Sequence, residues 1–537
     1  MKIDKYISNL RSKNIIIHIQ DGRIAVKASD GAITAAIVAE LTAKKQEILD
    51  FFESIKKTKK HTESIIEDIL KPPEFNRQQD HIIYEEGQYD VLDIQKLRYE
   101  KTYNASEYER LQFLLHKKLD NINVKAFFEA MDTLVERHEN LRTLYLDKEG
   151  VILQQIYPPD TFESNVSVID ISSIAQEKKE GTIRHMIEEL SNHIFDFKNE
   201  RAFKCQLIKY DKDKYYFTFL MDHMIYDGQA TTIINNELFT LYDCYSKGIS
   251  NPFEPLKLQF KDYVAYNNQH YKGDKLSYHK SFYRNLFKEI PPKFHIEPDK
   301  LLSVKESKIP IVQPLLNSET DTYAGGIFRS TISKEISNGI QNLIIDCNVS
   351  LFNFLLATFS ILFTKISDQN DFVFFSPFST RSNEDFQKIV GWFGGMLISR
   401  VKLNRDQTFK DLLFHCRKVA TEAMDHVHYQ PFTSDLNLDW DRLVSAQINV
   451  GNNFNNAEHQ LVDFEPYHGD IPKPSLDINF GVGVYKNGME ITCDYNRELI
   501  SKTQISNICK EYLKIIKASI STLDTKIKNW IDVDEIH

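Results

Sequence analysis

The pattern of the chain switches from strand to helix within a few residues of His223, and this junction constrains the fold more than any other stretch. Tyr215-Tyr216-Phe217-Thr218-Phe219-Leu220 alternates as a strand, and the run from about Thr231 to Lys247 repeats at helical spacing. Met221-Asp222-His223-Met224-Ile225-Tyr226-Asp227-Gly228 joins the two. An imidazole, His223, and a carboxylate, Asp227, four residues apart at such a junction can place a general base and its support in one corner of a pocket. The same interleaving continues along the chain. Helical patterns at Val124–His138, Leu351–Ile366, Phe409–His426 and Lys502–Leu523 alternate with strand-like runs at Phe203–Lys209, Phe372–Phe375, Leu397–Leu403, Gln447–Val450 and Gly488–Tyr495. This predicts an α/β or α+β core with mixed sheets.

At 537 residues the chain is too long for one core, and roughly three units is the expectation at about 150 residues each. No run approaches the roughly 18 apolar residues of a membrane span, and the charged start MKIDKYISNLRSK is unlike a signal peptide. A cytoplasmic location is therefore expected, away from membranes. The six cysteines are scattered without a C-x-x-C pair, which points to small core residues rather than a zinc site or a disulfide frame. The net charge of -10 argues against nucleic acid, but it is unevenly spread. Residues 1–60 hold twelve Lys/Arg against seven Asp/Glu, a surplus of +5, leaving -15 for the remainder. The first segment is a separately charged unit able to attract an acidic partner.

That segment begins with a predicted helix over 3–12. Ile15-Ile16-Ile17-His18-Ile19-Gln20, Asp21-Gly22 and Arg23-Ile24-Ala25-Val26-Lys27 then read as strand, two-residue turn and strand. Apolar periodicity after Gly31 suggests one or two further helices. A unit this small with one hairpin has an exposed strand edge. It either caps the main fold or captures a partner's extended tail by strand addition, with lysines selecting an acidic tail. Residues 61–87, with Lys71-Pro72-Pro73, read as linker.

The helix, Ile-rich strand, Asp-Gly turn, second strand, Gly31-Ala32-Ile33-Thr34, and Lys44-Lys45 before Ile48-Leu49 together resemble the N-terminal β-hairpin docking domain of nonribosomal peptide synthetases, the tubulysin type. The resemblance implies that residues 1–60 bind the C-terminal tail of an upstream synthetase. The tail would pair onto the second strand, at Ile24, Ala25, Val26 and Lys27, with Lys44 and Lys45 nearby.

Over residues 88–525 the motifs resemble condensation domains of the chloramphenicol acetyltransferase-like superfamily. Asp222-His223-x-x-x-Asp227-Gly228 is similar to His-His-x-x-x-Asp-Gly. Val91-Leu92-Asp93-Ile94-Gln95-Lys96-Leu97-Arg98-Tyr99 resembles a divergent Ser-x-Ala-Gln-x-Arg-Leu-Trp, and Arg137-His138-Glu139-Asn140-Leu141-Arg142-Thr143 nearly repeats the second motif. Phe260-Lys261-Asp262-Tyr263-Val264-Ala265-Tyr266, Ile389-Val390-Gly391-Trp392-Phe393-Gly394-Gly395-Met396-Leu397 and His428-Tyr429-Gln430-Pro431-Phe432 resemble three later motifs, with Arg381 where the family has a strand-end arginine. The resemblance implies two similar lobes in a V, 88–265 and 266–537, around a tunnel entered from both faces by phosphopantetheine arms. Those arms belong to partner carrier proteins. No cofactor or metal is expected in the chain itself.

Aminolysis of a thioester needs an aimed, unprotonated amine that can lose a proton as the bond forms. His223 is the residue for that role, as a base or a positioning group, and backbone N–H groups around Gly228 are candidate donors to the carbonyl oxygen. Asp227 is expected to be structural, paired with Arg142 or Arg381. His138, His426 and His428 are expected to be packing or loop residues, and His18 a strand surface residue. Asp222 stands where the family usually has its first histidine, and a carboxylate there can raise the pKa of His223 if close enough. Trp392, Phe393, Gly394 and Gly395 are assigned to the tunnel wall, the two glycines giving it a smaller surface than the usual Val-Asn.

No stretch resembles an adenylation domain, and no serine two residues after a Gly-Gly pair offers a carrier site. The expectation is a free-standing, monomeric condensation enzyme. It would take its donor from an upstream synthetase and transfer it to a free small amine, as in assembly lines resembling rhabdopeptide synthesis. The alternatives are condensation in trans between two carrier-bound substrates, ester formation, an epimerisation domain, or a non-catalytic platform that recruits a tailoring enzyme.

Overall fold

The computed structural model describes residues 15–20, 23–28, 37, 40, 41 and 43–49, and residues 85–531 except 104–110, 163–164, 297–324, 382–383, 434–435, 437, 453–476 and 486–487. The chain divides into two units, 1–83 and 84–537. In the first, β1 (Ile15–Gln20) and β2 (Arg23–Ala28) pair antiparallel from Ile15 opposite Ala28 to Gln20 opposite Arg23. Asp21 and Gly22, where the sequence predicts the turn, lie outside the described residues. Ile24, Ala25, Val26 and Lys27 all lie on β2. Further along, Lys44 N–H donates to Glu40 and Ile48 N–H to Lys44, so this stretch is helical; Ile48 is buried and Lys45 exposed. The predicted helix 3–12 and the linker 61–84 lie outside the described residues.

The first half of the second unit comprises β3 (Gln88–Asp90), α1 (Asp93–Tyr103), β4 (Gln112–Asp120), α2 (Val124–Arg137), β5 (Thr143–Lys148), β6 (Val151–Ile156), β7 (Ser167–Asp170), α3 (Gln176–Ser191), β8 (Phe203–Asp211), β9 (Lys214–Asp222), α4 (Gly228–Ser246), α5 (Phe260–His270) and α6 (Gly273–Leu286). The second half comprises β10 (Gly325–Ile332), α7 (Lys334–Cys347), α8 (Leu351–Ser367), β11 (Asp371–Ser379), β12 (Gly394–Lys402), α9 (Phe409–Met424), β13 (Ala446–Asn452), β14 (Ile478–Tyr485), β15 (Gly488–Asn496) and α10 (Lys502–Ser521). The boundary expected at 265/266 falls inside α5.

One sheet runs β4-β9-β8-β7, a smaller one β3-β6-β5, and the large one β10-β15-β14-β13-β11-β12. All are antiparallel except where β7 meets β8, β11 meets β13 and β13 meets β14. The fold is mixed α/β with mixed sheets, as the interleaved pattern predicts. Two sheets form the cores of the two halves. β9, central in its sheet, is buried from Tyr216 to Asp222, which is why that stretch is almost wholly apolar. α8 is the core helix of the second half. Phe354, Leu355, Leu356, Phe359, Ile361, Leu362 and Phe363 are each at most 1% exposed, and each contributes about 1.5–3 kcal/mol by burial. Its polar residues survive there because Ser360, Thr364 and Ser367 return their hydroxyls to carbonyls one turn back. A capping box of Ser350 and Asn353 starts it. Among the described residues no single helix is long and apolar enough to cross a membrane.

Candidate active site at the end of strand β9

Strand β9 keeps its ladder to the end. Gln112 pairs with Asp222, and the His223 N–H still reaches the Leu111 carbonyl at 2.8 Å. The chain then turns sharply. Asp222 Oδ1 accepts the Met224 N–H at 3.0 Å, and its carbonyl accepts the Ile225 N–H at 3.1 Å. Met224 and Ile225 are fully buried, so their carbonyls need partners. Gln95 of α1 donates to the Met224 carbonyl at 2.9 Å, and Asn140 donates to that of Ile225 at 3.0 Å. Two motifs far apart in sequence thus hold one turn.

Asp222 is locked by Arg98 of α1, whose Nε and Nη2 lie 3.1 and 2.5 Å from its two carboxylate oxygens; both side chains are at most 2% exposed. Asp227 is the N-cap of α4. Oδ1 accepts the Ala230 N–H at 2.8 Å and Arg381 Nη2 at 2.7 Å, while Oδ2 accepts the Phe393 N–H at 3.1 Å. Arg381 also donates to the carbonyls of Phe386 and Ile389 and lies 4.0 Å over the Phe393 ring. Of the two arginines expected beside Asp227, only Arg381 is there. Arg142 donates instead to the Tyr157 carbonyl and stands 3.7 Å from Glu139, because the short helix that carries it points it along the neighbouring loop.

His223 is half-buried, with Nδ1 buried and unpaired, which leaves Nε2 for an incoming group. Tyr226 stacks on its ring at 4.8 Å between centroids, and Trp392 covers it at 4.2 Å. Its pKa is lowered below the ordinary histidine value. Burial is the main cause, since it disfavours the imidazolium; its own backbone carbonyl and the carboxylates of Asp227 and Asp222 oppose this, and Arg98 adds to it. As expected, Asp222 acts to raise this pKa, although it does not decide the net shift: Arg98 offsets it and burial outweighs both. The ring is therefore neutral at physiological pH, able to accept a proton.

Gly228 is exposed at the tip of α4. A Cβ on Gly395 would stand 2.6 Å from the Val427 carbonyl, so this glycine serves a close backbone approach, and one on Gly394 would meet the Trp392 ring. Other histidines are structural in their contacts. His138 Nε2 meets Glu237 at 2.7 Å, and His426 lies flat on Phe282 at 3.8 Å and meets His279 Nδ1 at 2.7 Å. Sequence reasoning does not single out Gln95, Arg98, Asn140 or Tyr226, although the first three stand in motifs that carry the family resemblance.

Residues 85–535 match the Condensation domain family, and residues 3–54 match the TubC N-terminal docking domain. The chain is similar to bacitracin synthase 3 of Bacillus licheniformis, with 23% identity over 412 residues, 75% of this chain and 6% of that one. It thus spans a small fraction of the curated relatives it matches. Its fold is similar to the X-domain in complex with OxyB from teicoplanin biosynthesis, with TM-score 0.68 and 15% identity over 85% of this chain and 97% of that one. It is also similar to the condensation domain that mediates chain release from the enacyloxin polyketide synthase, with TM-score 0.58 and 15% identity over 98% and 97%. A TubC-type docking segment, the fold of two sheet-centred halves and the His223 turn with its pinning residues lead to one assignment: the chain belongs to the condensation-domain family.

Proposed function

We propose that this chain is a terminal condensation enzyme. It accepts a peptidyl or acyl thioester from the carrier of an upstream synthetase, recruited through residues 1–60, and transfers it to a free small amine, releasing an amide. The observation that carries the chemistry is the neutral, half-buried His223, whose accessible nitrogen can take the proton that the amine sheds as the C–N bond forms. Asp222, Asp227, Gly228 and Arg381 support that turn, and Trp392, Phe393, Gly394 and Gly395 form the facing wall. The docking segment raises the local concentration of the donor, its second strand and Lys44 and Lys45 receiving the partner's tail. The phosphopantetheine arm arrives on the carrier. A chain-release role for one fold relative supports a free acceptor.

The test loads the upstream carrier with a peptidyl thioester, adds this protein with a panel of amines, and follows products by mass spectrometry. Enzyme-dependent amide from a free amine is the expected outcome. Product only with an aminoacyl carrier would replace this reading with condensation in trans, product only with an alcohol with ester formation, and no product with any acceptor with a recruitment platform.

A further inference from the structure

The hydrogen-bond donors nearest the imidazole are mostly committed. The His223 N–H goes to Leu111, those of Met224 and Ile225 to Asp222, and those of Ala230 and Phe393 to Asp227. Trp392 differs. Its ring packs on His223 at 4.2 Å and is 7% exposed, yet its indole N–H has no acceptor among the described residues. Nor is that nitrogen sealed off: the buried polar atoms without partners include His223 Nδ1 but not Trp392 Nε1. Beside it stands Gly394. A Cβ there would lie 3.3 Å from Nε1 and 3.4 Å from the adjacent ring carbon, covering the donor.

We propose that Trp392 is a further catalytic residue, its indole N–H donating to the thioester carbonyl oxygen, and that Gly394 keeps this N–H uncovered. The proposal rests on amide formation at His223. As the amine nitrogen bonds to the thioester carbon, the carbonyl π pair moves to oxygen, where the indole N–H receives it. The pair then returns, the C–S bond breaks, and the amine proton passes through His223 to the departing pantetheine thiolate. An indole is suited to this because it only donates and carries no charge. Its stacking fixes it before the reaction, so little reorganisation is needed as charge develops.

Trp392→Phe keeps an aromatic ring over His223 and removes only the N–H. With the folded state checked by thermal melting, kcat is expected to fall about 100-fold with little change in KM for the loaded carrier. Gly394→Val should do the same by covering the donor, and the double variant should be no worse than Trp392→Phe alone. Wild-type kcat in Trp392→Phe would overturn the proposal. A second readout does not need turnover. The chain has three tryptophans, so the 15N indole resonance missing from Trp392→Phe identifies Trp392. It should move downfield when a non-reactive acyl-pantetheine amide binds; an unmoved resonance in a chain where other signals report binding also overturns the proposal. A wild-type chain that binds this analogue, shifts the indole signal and makes no amide would instead sink the proposed reaction and leave the donor role standing.

Discussion

Arg98 and Asp222 meet as a buried two-pronged ion pair, at 3.1 and 2.5 Å, across 124 positions of sequence. The residue that departs from the family's usual histidine is therefore fixed by the arginine of the opening motif, and together they anchor the start of the His223 turn.

Removing Asp222 leaves the Arg98 guanidinium buried without its carboxylate. Asp222→Ala is expected to cost about 3–5 kcal/mol, with the Met224 N–H also orphaned. Urea unfolding of the variant against wild type measures it; a loss under about 1 kcal/mol would mean that water reaches Arg98.

Asp227 and Arg381 should be coupled energetically. Asp227→Ala loses a helix cap worth about 1 kcal/mol and leaves a buried guanidinium without its carboxylate, whereas in an Arg381→Ala background the guanidinium is gone and that second penalty does not arise. A double-mutant cycle should therefore show strong non-additivity. Arg142→Ala in place of Arg381→Ala should show none, and coupling there would contradict the geometry.

His223→Ala should abolish amide formation while leaving the protein folded. The lowered pKa gives a further signature. Above about pH 6.5 the ring is neutral both folded and unfolded and contributes no pH dependence. As pH falls below about 6.5 the unfolded chain takes up a proton that the native ring resists, so stability declines until the native pKa is passed, by at most about 1.4 kcal/mol per pH unit. Measured from about pH 7.5 to about 5.5, the wild type should lose more stability than His223→Ala; parallel curves would show that the ring titrates normally.

Gly395→Ala forces a methyl to within 2.6 Å of a backbone carbonyl. Overpacking of this kind costs about 1–3 kcal/mol, which thermal melting reads directly. An unchanged melting temperature would show that the loop of Val427 yields freely.

Deleting residues 1–60 should raise the carrier concentration needed for half-maximal rate and leave the rate at saturation intact. Equal rates at low carrier concentration would remove the docking role.

Much of the fold is legible in the sequence because strand and helix periods are strong here. Leu351–Ile366 and Gly488–Tyr495 lie within a residue of the observed ends, the first read from an unbroken apolar run and the second from alternation between apolar and polar positions. Edge elements such as β7 and α3 escape such a reading, since Ser167–Asp170 is mostly exposed and Gln176–Ser191 is largely polar, so neither carries a clean pattern. At the site, local spacing places Asp227 at the start of a helix, but its partner lies 154 positions away, and the sequence offers two arginines with no means of choosing. Arg98 is invisible as a partner for the same reason: ion pairing across a core depends on the packing of α1 against the β9 turn, which no local pattern encodes.

The Asp227 cap ties the His223 turn to both halves of the condensation unit at once, through Arg381 and Phe393 on one side and its own helix on the other. Val390 N–H reaches His138 at 3.4 Å and Tyr263 reaches Thr380 at 2.6 Å along the same seam. Any rocking of the two halves must then turn about this seam as a fulcrum. Movement about it would leave the imidazole and its indole neighbour at their present spacing.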